Sequence, residues 1–215
     1  MDEVRSPSPV RQHLAWGVAC IKLNPLLSLG RRLLLLCVSS ALLLASMNLY
    51  GQASKPSEYD VEAAYLYNFG KFVQWPTGSP NAAAAVFTIC VIGDDPLEAR
   101  LQAEVRKETI NGRNVAVKRL SRPRAASQCQ VLFIPAREED LIGRDLEEVR
   151  RAPILTVSDS PDFTRHGGMI GFVIQNHRVR FEVNLAAARE AGLQLSSELL
   201  KVAVNVTGEE GRRGR

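Results

Sequence analysis

The residues that could carry out chemistry are few in this sequence. Asp94 and Asp95, after Gly93, follow Val86–Ile92, an apolar run that is typical of a buried strand. Two carboxylates at a strand end could bind a divalent cation or border a ligand crevice, because open α/β sheets place their sites there. Asp95 before Pro96 is equally typical of a helix N-cap with proline in the first turn. We favour the cap, keep a ligand crevice beside Asp94 and Asp95 as the alternative, and expect neither a metal nor a cofactor.

Two histidines follow residue 53, and both lie in sequence contexts that favour loops. His177 stands beside Asn176 at a two-residue hairpin turn, and His166 precedes paired glycines. The paired glycines lead into a strand, whereas a phosphate-binding loop opens a helix. The sequence after residue 53 shows no nucleotide loop, zinc-type ligand cluster or nucleophile elbow, so it gives no positive indication of an enzyme.

The first 53 residues resemble a secretory leader. Arg31 and Arg32 precede an apolar run at residues 33–45, and Gly51 and Ala53 occupy the two positions that a signal peptidase reads. A run of about 13 residues is short for roughly 30 Å of hydrocarbon, so a retained membrane anchor is the less favoured alternative. We therefore predict an exported, periplasmic protein that is cleaved near Ala53.

The charge of the chain argues against a nucleic-acid partner. The chain has 27 Lys and Arg against 23 Asp and Glu, but the leader contributes five basic and two acidic residues. The remainder, with 22 basic and 21 acidic residues, is nearly neutral. A basic overall composition that comes from the leader indicates no polyanionic ligand.

Two cysteines remain once the leader, with Cys20 and Cys37, is removed. Cys90 lies in the first apolar strand and Cys129 at the start of a later one. A remaining pair in an exported chain is a candidate disulfide, because the compartment is oxidising. Two buried free thiols on neighbouring strands are the alternative, and the residues alone leave both open.

An aromatic helix is predicted ahead of the first strand. Apolar and aromatic residues recur at helical spacing up to Trp75, and Pro76 ends the pattern. Packing in the core is the favoured role of this stripe, and a docking surface for a partner is the alternative. Asn68 lies at the edge of the stripe and needs a hydrogen-bond partner if it is buried. The candidate partner or ligand surface is therefore Asn68, Phe72, Trp75, Asp94 and Asp95.

Strands and helices alternate through most of the chain. Strands are predicted at 86–92, 115–120, 129–135 and 154–157, and helices at 96–105 and 138–150. An antiparallel hairpin follows, with strands at 169–174 and 179–183, and a helical stripe from Leu185 to Val204 passes through Gly192. We predict an α/β fold with a mixed sheet flanked by helices, ending in the hairpin and a long C-terminal helix. We expect residues 54–57 to form a linker, 58–207 a single domain and 208–215 a disordered tail.

Several motifs occur in a characteristic order along the chain. They are YLYNFGKFVQWP, FTICVIGDDPL, CQVLFIP, GGMIGF and RFEVNLAAAREAGL, followed by LSSELLKVA. In this order the chain after the leader resembles the YfiR-like periplasmic proteins. Cys90 and Cys129 fall where such proteins carry one of their bridges, which favours the disulfide. A second cysteine pair of some members has no counterpart here, so redox sensing through that pair is not expected.

The resemblance also implies a function. Some YfiR-like proteins bind the periplasmic sensor part of an inner-membrane diguanylate cyclase and hold it inactive, which lowers cyclic di-GMP and restrains biofilm formation. We therefore expect a non-enzymatic regulator whose partner is the periplasmic domain of an inner-membrane signalling protein. A small-molecule binding protein and a scaffold component without a ligand are the alternatives, and a homodimer is possible.

Overall fold

The structure is a computed structural model that describes residues 56–136 and 139–208, without the side chains of residues 139 and 140. The predicted leader and residues 209–215 of the predicted tail lie outside the described residues. The described residues belong to one compact unit that spans 55–215.

Helices and strands alternate as the sequence predicts. The helices are α1 (Glu58–Phe72), α2 (Pro80–Ala83), α3 (Pro96–Glu104), α4 (Glu139–Val149), α5 (Leu185–Glu190) and α6 (Ser197–Val202). The strands are β1 (Val73–Gln74), β2 (Val86–Ile92), β3 (Thr109–Ile110), β4 (Arg113–Leu120), β5 (Val131–Phe133), β6 (Leu155–Ser158), β7 (Ile170–Gln175), β8 (Arg178–Asn184), β9 (Gln194–Leu195) and β10 (Asn205–Thr207).

The main sheet is mixed, as predicted. Its strand order is β10-β8-β7-β6-β5-β2-β4-β3, and β4, β2, β5, β6 and β7 run parallel. The chain passes from β2 to β4 on one side and then to β5 on the other, so the direction of winding reverses between β2 and β5. We call the edge where β2, β5 and β6 end the carboxyl edge. Open sheets of this kind bind ligands there, at the point of reversal.

Apolar layers cover both faces of the sheet. On one face, Phe87 and Val91 of β2 pack with Leu66 and Phe69 of α1 and with Leu101 of α3. On the other face, Cys90, Ile92 and Leu132 pack with α4 and the segment around Phe163. Burial on both faces explains the almost continuous apolar run of β2, because successive strand residues point to opposite sides.

The predicted hairpin is confirmed. Asn176 and His177 have φ angles of 52° and 58°. Positive φ at both central residues matches the twist of a two-residue turn. Val179, Phe181 and Val183 of β8 are buried in the same layer as Phe172 of β7.

The prediction of one long C-terminal helix is wrong. α5 ends at Glu190, and Gly192 adopts a φ of 75°, which a helix cannot continue. β9 then pairs antiparallel with β1, and the side chain of Ser196 caps the separate helix α6. α5, β9 and α6 all pack on the same apolar layer. Their apolar residues therefore recur along the sequence at intervals that resemble those of one continuous helix.

Candidate functional site

The five predicted surface residues do not form one site. Asp94 and Asp95 follow the last residue of β2, at the carboxyl edge. Trp75 lies near the start of β2, where its ring packs edge-on against Phe87 with the ring centroids 5.4 Å apart. A strand of this length is about 20 Å long, so the aromatic and acidic members lie at opposite ends of β2.

The aromatic end is mostly structural. The side-chain amide of Asn68 donates to the carbonyl oxygen of Ala64, 2.8 Å away within α1, so its hydrogen-bond requirement is met locally. Trp75 is half-buried, and its indole N–H has no hydrogen-bond partner among the described residues. Phe72 is 39% exposed and is the member of this group that could contact a partner.

The acidic end contains the predicted helix cap. The Oδ1 atom of Asp95 accepts a hydrogen bond from the backbone N–H of Leu97 at 2.8 Å, which confirms the cap. Asp94 pairs with Arg119 at 2.7 Å, and Arg119 also bonds Glu98. These residues line an open groove of about 430 Å³. Because Arg119 neutralises the exposed carboxylate, the groove has mixed charge.

A second acidic group lies at the carboxyl edge, and the sequence interpretation missed it. Glu62 of α1 is only 5% exposed, and its Oε2 atom has no hydrogen-bond partner among the described residues. Burial, together with the smaller effects of the charges of Asp159, Glu58 and Asp95, raises the pKa of Glu62 to about 8. We call Glu58, Glu62, Asp95 and Asp159 the acidic crevice.

Asp159 owes its position to the strand before it. It follows β6 directly and is half-buried, and its Oδ1 atom accepts a hydrogen bond from the backbone N–H of Ala136 at 2.6 Å. Burial raises the pKa of Asp159, and the Ala136 hydrogen bond opposes that rise. Asp159 and Asp95 thus follow β6 and β2, on either side of β5.

In residues 56–136 and 139–208, no group of three or more His, Cys, Asp or Glu side chains is arranged to hold a metal ion.

The disulfide between Cys90 and Cys129 is present, with the α-carbons 5.9 Å apart. Both cysteines are buried beneath α4, so the bridge is enclosed. Side chains fix the backbone next to it: the Asn81 amide donates to the Cys129 carbonyl at 2.9 Å, and the Gln130 amide donates to the Asn81 carbonyl at 2.6 Å. The bridge is therefore part of the core.

The ends of α4 and α5 border a cavity of about 280 Å³. Its charged side chains pair with each other: Arg151 bonds Glu190 at 2.9 Å, and Arg150 bonds Glu147 at 2.8 Å. His166 lines the rim and lies in a turn, as does His177, which confirms the loop positions predicted for both histidines.

Exposed apolar side chains cluster beside the hairpin. Ile174 of β7 is 56% exposed and Val202, at the end of α6, is 54% exposed. The backbone N–H of Val204 donates to the carbonyl oxygen of Phe181 of β8 at 2.9 Å, and its side chain is 36% exposed. We call Ile174, Val202 and Val204 the hairpin patch. Ile174 lies in β7 and Val202 at the end of α6, so the backbones of these two residues are held by regular elements, and Val204 lies between α6 and β10.

Comparison with known protein families decides the family. A model of the YfiR/HmsC-like family matches residues 59–204. The chain belongs to the YfiR/HmsC-like family. The suspected resemblance is thus confirmed over nearly all of the described residues.

The motifs of this YfiR/HmsC-like protein now have places in the fold. The GGMIGF motif enters β7, and RFEVN forms most of β8. A solved structure of a conserved domain protein from Vibrio cholerae O1 biovar El Tor str. N16961 is similar, with 12% identity and a TM-score of 0.48. The alignment covers 71% of this chain and 61% of the Vibrio chain, so the present chain spans less than two thirds of that protein.

Within the described parts of the chain, none of the helices combines the length and apolar character needed to cross a bilayer.

Proposed function

We propose that this YfiR/HmsC-like protein is a non-enzymatic periplasmic regulator that binds the sensor domain of an inner-membrane diguanylate cyclase and holds the enzyme inactive. The observation that carries the proposal is the family match over residues 59–204. The leader predicted at residues 1–53 supports it, because export would bring the protein to the same compartment as that sensor domain.

The surface that best suits such a contact is the hairpin patch. Exposed apolar side chains typically mark interaction sites when they form one patch. Arg180 of β8 donates a hydrogen bond to the carbonyl oxygen of Val202 at 3.3 Å, which helps to fix the end of α6 against the sheet. A preformed apolar surface loses little conformational entropy on binding, so more of its buried area contributes to affinity.

The test is the affinity of the mature protein for the purified periplasmic domain of an inner-membrane diguanylate cyclase from the same organism. Ile174→Asp and Val202→Asp should each weaken binding by at least about tenfold, because a charge in the centre of an apolar interface is desolvated without a partner. Val86→Asp is the matched control. Val86 is 41% exposed, but it lies at the start of β2, at the opposite edge of the sheet from the hairpin turn.

The results separate the hypotheses. Loss of binding in both hairpin variants with an unaffected control supports the hairpin patch. Loss in Phe72→Ala alone would instead support the aromatic surface proposed from the sequence. The proposal is contradicted if the wild-type protein fails to bind the domain. It is also contradicted if the protein self-associates and its dimer dissociates in the hairpin variants.

A further inference from the structure

The acidic crevice lies where this sheet topology places ligands. Asp95 follows β2, Asp159 follows β6, and β5 runs between the two strands. The winding of the sheet reverses between β2 and β5, and parallel strands end at one common edge there. The charges of Asp95 and Asp159, and that of Glu58 in the first turn of α1, all act on the carboxyl group of Glu62. Four carboxyl groups from three separate parts of the chain thus lie close enough to influence one another.

Glu62 has an unmet hydrogen-bonding requirement. Its side chain is buried, and its Oε2 atom has no partner among the described residues. The described charges that act on its carboxyl group are those of Asp159, Glu58 and Asp95, and all are negative. Arg100 of α3 lies near the same helix, but it pairs with Asp60 at 3.5 Å. A buried acceptor without a donor is unfavourable, and a bound donor that carries a positive charge would compensate it.

We propose that the acidic crevice binds a primary ammonium group, which donates to the free oxygen of Glu62 and is stabilised by the charges of Asp95, Asp159 and Glu58. An ammonium group is compact and offers three donors on a slender alkyl stem, so it suits a buried acceptor better than the broader, planar guanidinium group does. The proposal does not depend on the identity of the protein partner.

The site predicts a specific dependence on pH. At pH 7 the Glu62 carboxyl holds its proton, because its pKa is raised to about 8. A bound ammonium group favours the carboxylate, so binding at pH 7 releases a proton and the affinity rises up to about pH 8. The other groups that face the site are Glu58 and Tyr59 of α1, Asp95 and Asp159. Burial also raises the pKa of Tyr59, which therefore stays neutral over this range.

The experiment is calorimetric titration of the mature protein with n-butylammonium at pH 6 and pH 8.5, at constant ionic strength. Binding at pH 6 should be weaker by up to about 100-fold, since each pH unit below the pKa costs about a factor of ten. Glu62→Gln should weaken binding at pH 8.5 and remove most of the pH dependence, and Asp159→Asn should weaken binding at both pH values. Wild-type titrations in two buffers of different ionisation enthalpy should show proton release near pH 7, a readout that needs no variant.

Asp94→Asn is the matched control. It removes a carboxylate from the same loop as Asp95, but Asp94 is exposed and pairs with Arg119. Equal weakening by Asp94→Asn and Asp159→Asn would mean that the protein attracts cations without a site, and it would overturn the proposal. Binding without proton release, or the absence of saturable binding at pH 8.5, would overturn it as well.

A free alkylamine and a lysine of a partner protein present the same chemical group. If n-butylammonium displaces the cyclase periplasmic domain, the ammonium group comes from a partner lysine; if the two bind together, the ligand is a free amine. Both outcomes require Glu62-dependent binding of n-butylammonium, which is measured without the cyclase domain. Failure of the proposed function would therefore leave this test intact.

Discussion

A carboxyl group that is buried beside other carboxyl groups holds its proton more tightly. Glu62 is in this position, with burial as the main cause and Asp159 as the largest electrostatic contribution. The folded protein therefore binds a proton at pH 7 that the unfolded chain has lost, because an unfolded glutamate titrates near pH 4.3. The contribution of Glu62 to the free energy of unfolding is therefore full below the pKa of the unfolded glutamate. It is lost as the pH rises towards about 8.

Glu62→Gln should consequently stabilise the protein at high pH. At pH 8.5 we expect a gain of roughly 2 kcal/mol in the free energy of unfolding, below the limit set by the full pKa shift because a buried amide also lacks partners. At pH 4.5 the variant and the wild type should differ little. Urea unfolding at the two pH values measures the effect.

The exposed Asp94 provides the control for this prediction. Asp94→Asn should change stability by less than about 1 kcal/mol at either pH, as expected for a surface ion pair. A stability difference between Glu62→Gln and the wild type that stays constant from pH 4.5 to pH 8.5 would mean that Glu62 is ionised in the folded protein.

Local residue chemistry could be predicted from the sequence where the determinant is local. The Asp95 cap and the Asn176 turn depend on neighbouring residues, and both are confirmed. Glu62 was missed because its role depends on Asp159, almost a hundred positions away. One signal was present: Glu62, Leu66 and Phe69 share a helical spacing, which places a carboxyl group on a buried stripe.

At the scale of elements, α1 packs closely on the sheet at Gly70. A Cβ atom added there would lie 2.6 Å from Cδ1 of Ile110 and 2.8 Å from the ring of Phe87. Both neighbours are fully buried, so neither can move without disturbing the core. The glycine allows the helix to approach the sheet.

Gly70→Ala should therefore destabilise the protein by about 1 to 3 kcal/mol through overpacking. Gly143→Ala is the opposite case within a helix, because no heavy atom lies within 4 Å of its added Cβ. That change should stabilise α4 by about 0.5 to 1 kcal/mol, the usual advantage of alanine in a helix. Thermal unfolding of both variants measures the two effects. A loss of stability in both would contradict the expectation that alanine is overpacked at position 70 and favourable at position 143.

The sequence predicted elements well where one periodicity persists and poorly where elements are very short. The hairpin and β2 are long enough for their patterns to be read. β1 and β9 have only two residues each, and their pairing is between segments far apart in sequence. Gly192 was the visible signal for the break, but the apolar residues around it keep a helical spacing.

At the scale of the whole molecule, the two sides of the sheet have different roles. The hairpin patch adjoins the layer that contains α1, and the disulfide lies in the opposite layer, beneath α4. The acidic crevice lies at the edge where the parallel strands end. Changes to the bridge should therefore affect stability without altering the proposed binding surfaces.

Replacing Cys90 and Cys129 by serine should lower stability and leave partner binding by the folded protein nearly unchanged. The bridge joins positions 39 residues apart. Constraining an unfolded loop of that size contributes at most about 4 kcal/mol, a large share of the roughly 5 to 15 kcal/mol that stabilises a typical domain. For a domain of this size each kcal/mol corresponds to about 2 to 4 °C in Tm, so calorimetry should show a decrease on the order of 10 °C.

The prediction also concerns the affinity of the double variant for its partner. The affinity of the double variant for the cyclase periplasmic domain, measured well below its Tm, should stay within about threefold of wild type, because additivity holds for distant sites. Thiol labelling of the unreduced, denatured wild type should find neither cysteine free. If the double variant melts like wild type but no longer binds the domain, the bridge controls binding and is a regulatory element. A variant that melts lower and still binds assigns the bridge to stability, as its enclosure beneath α4 indicates.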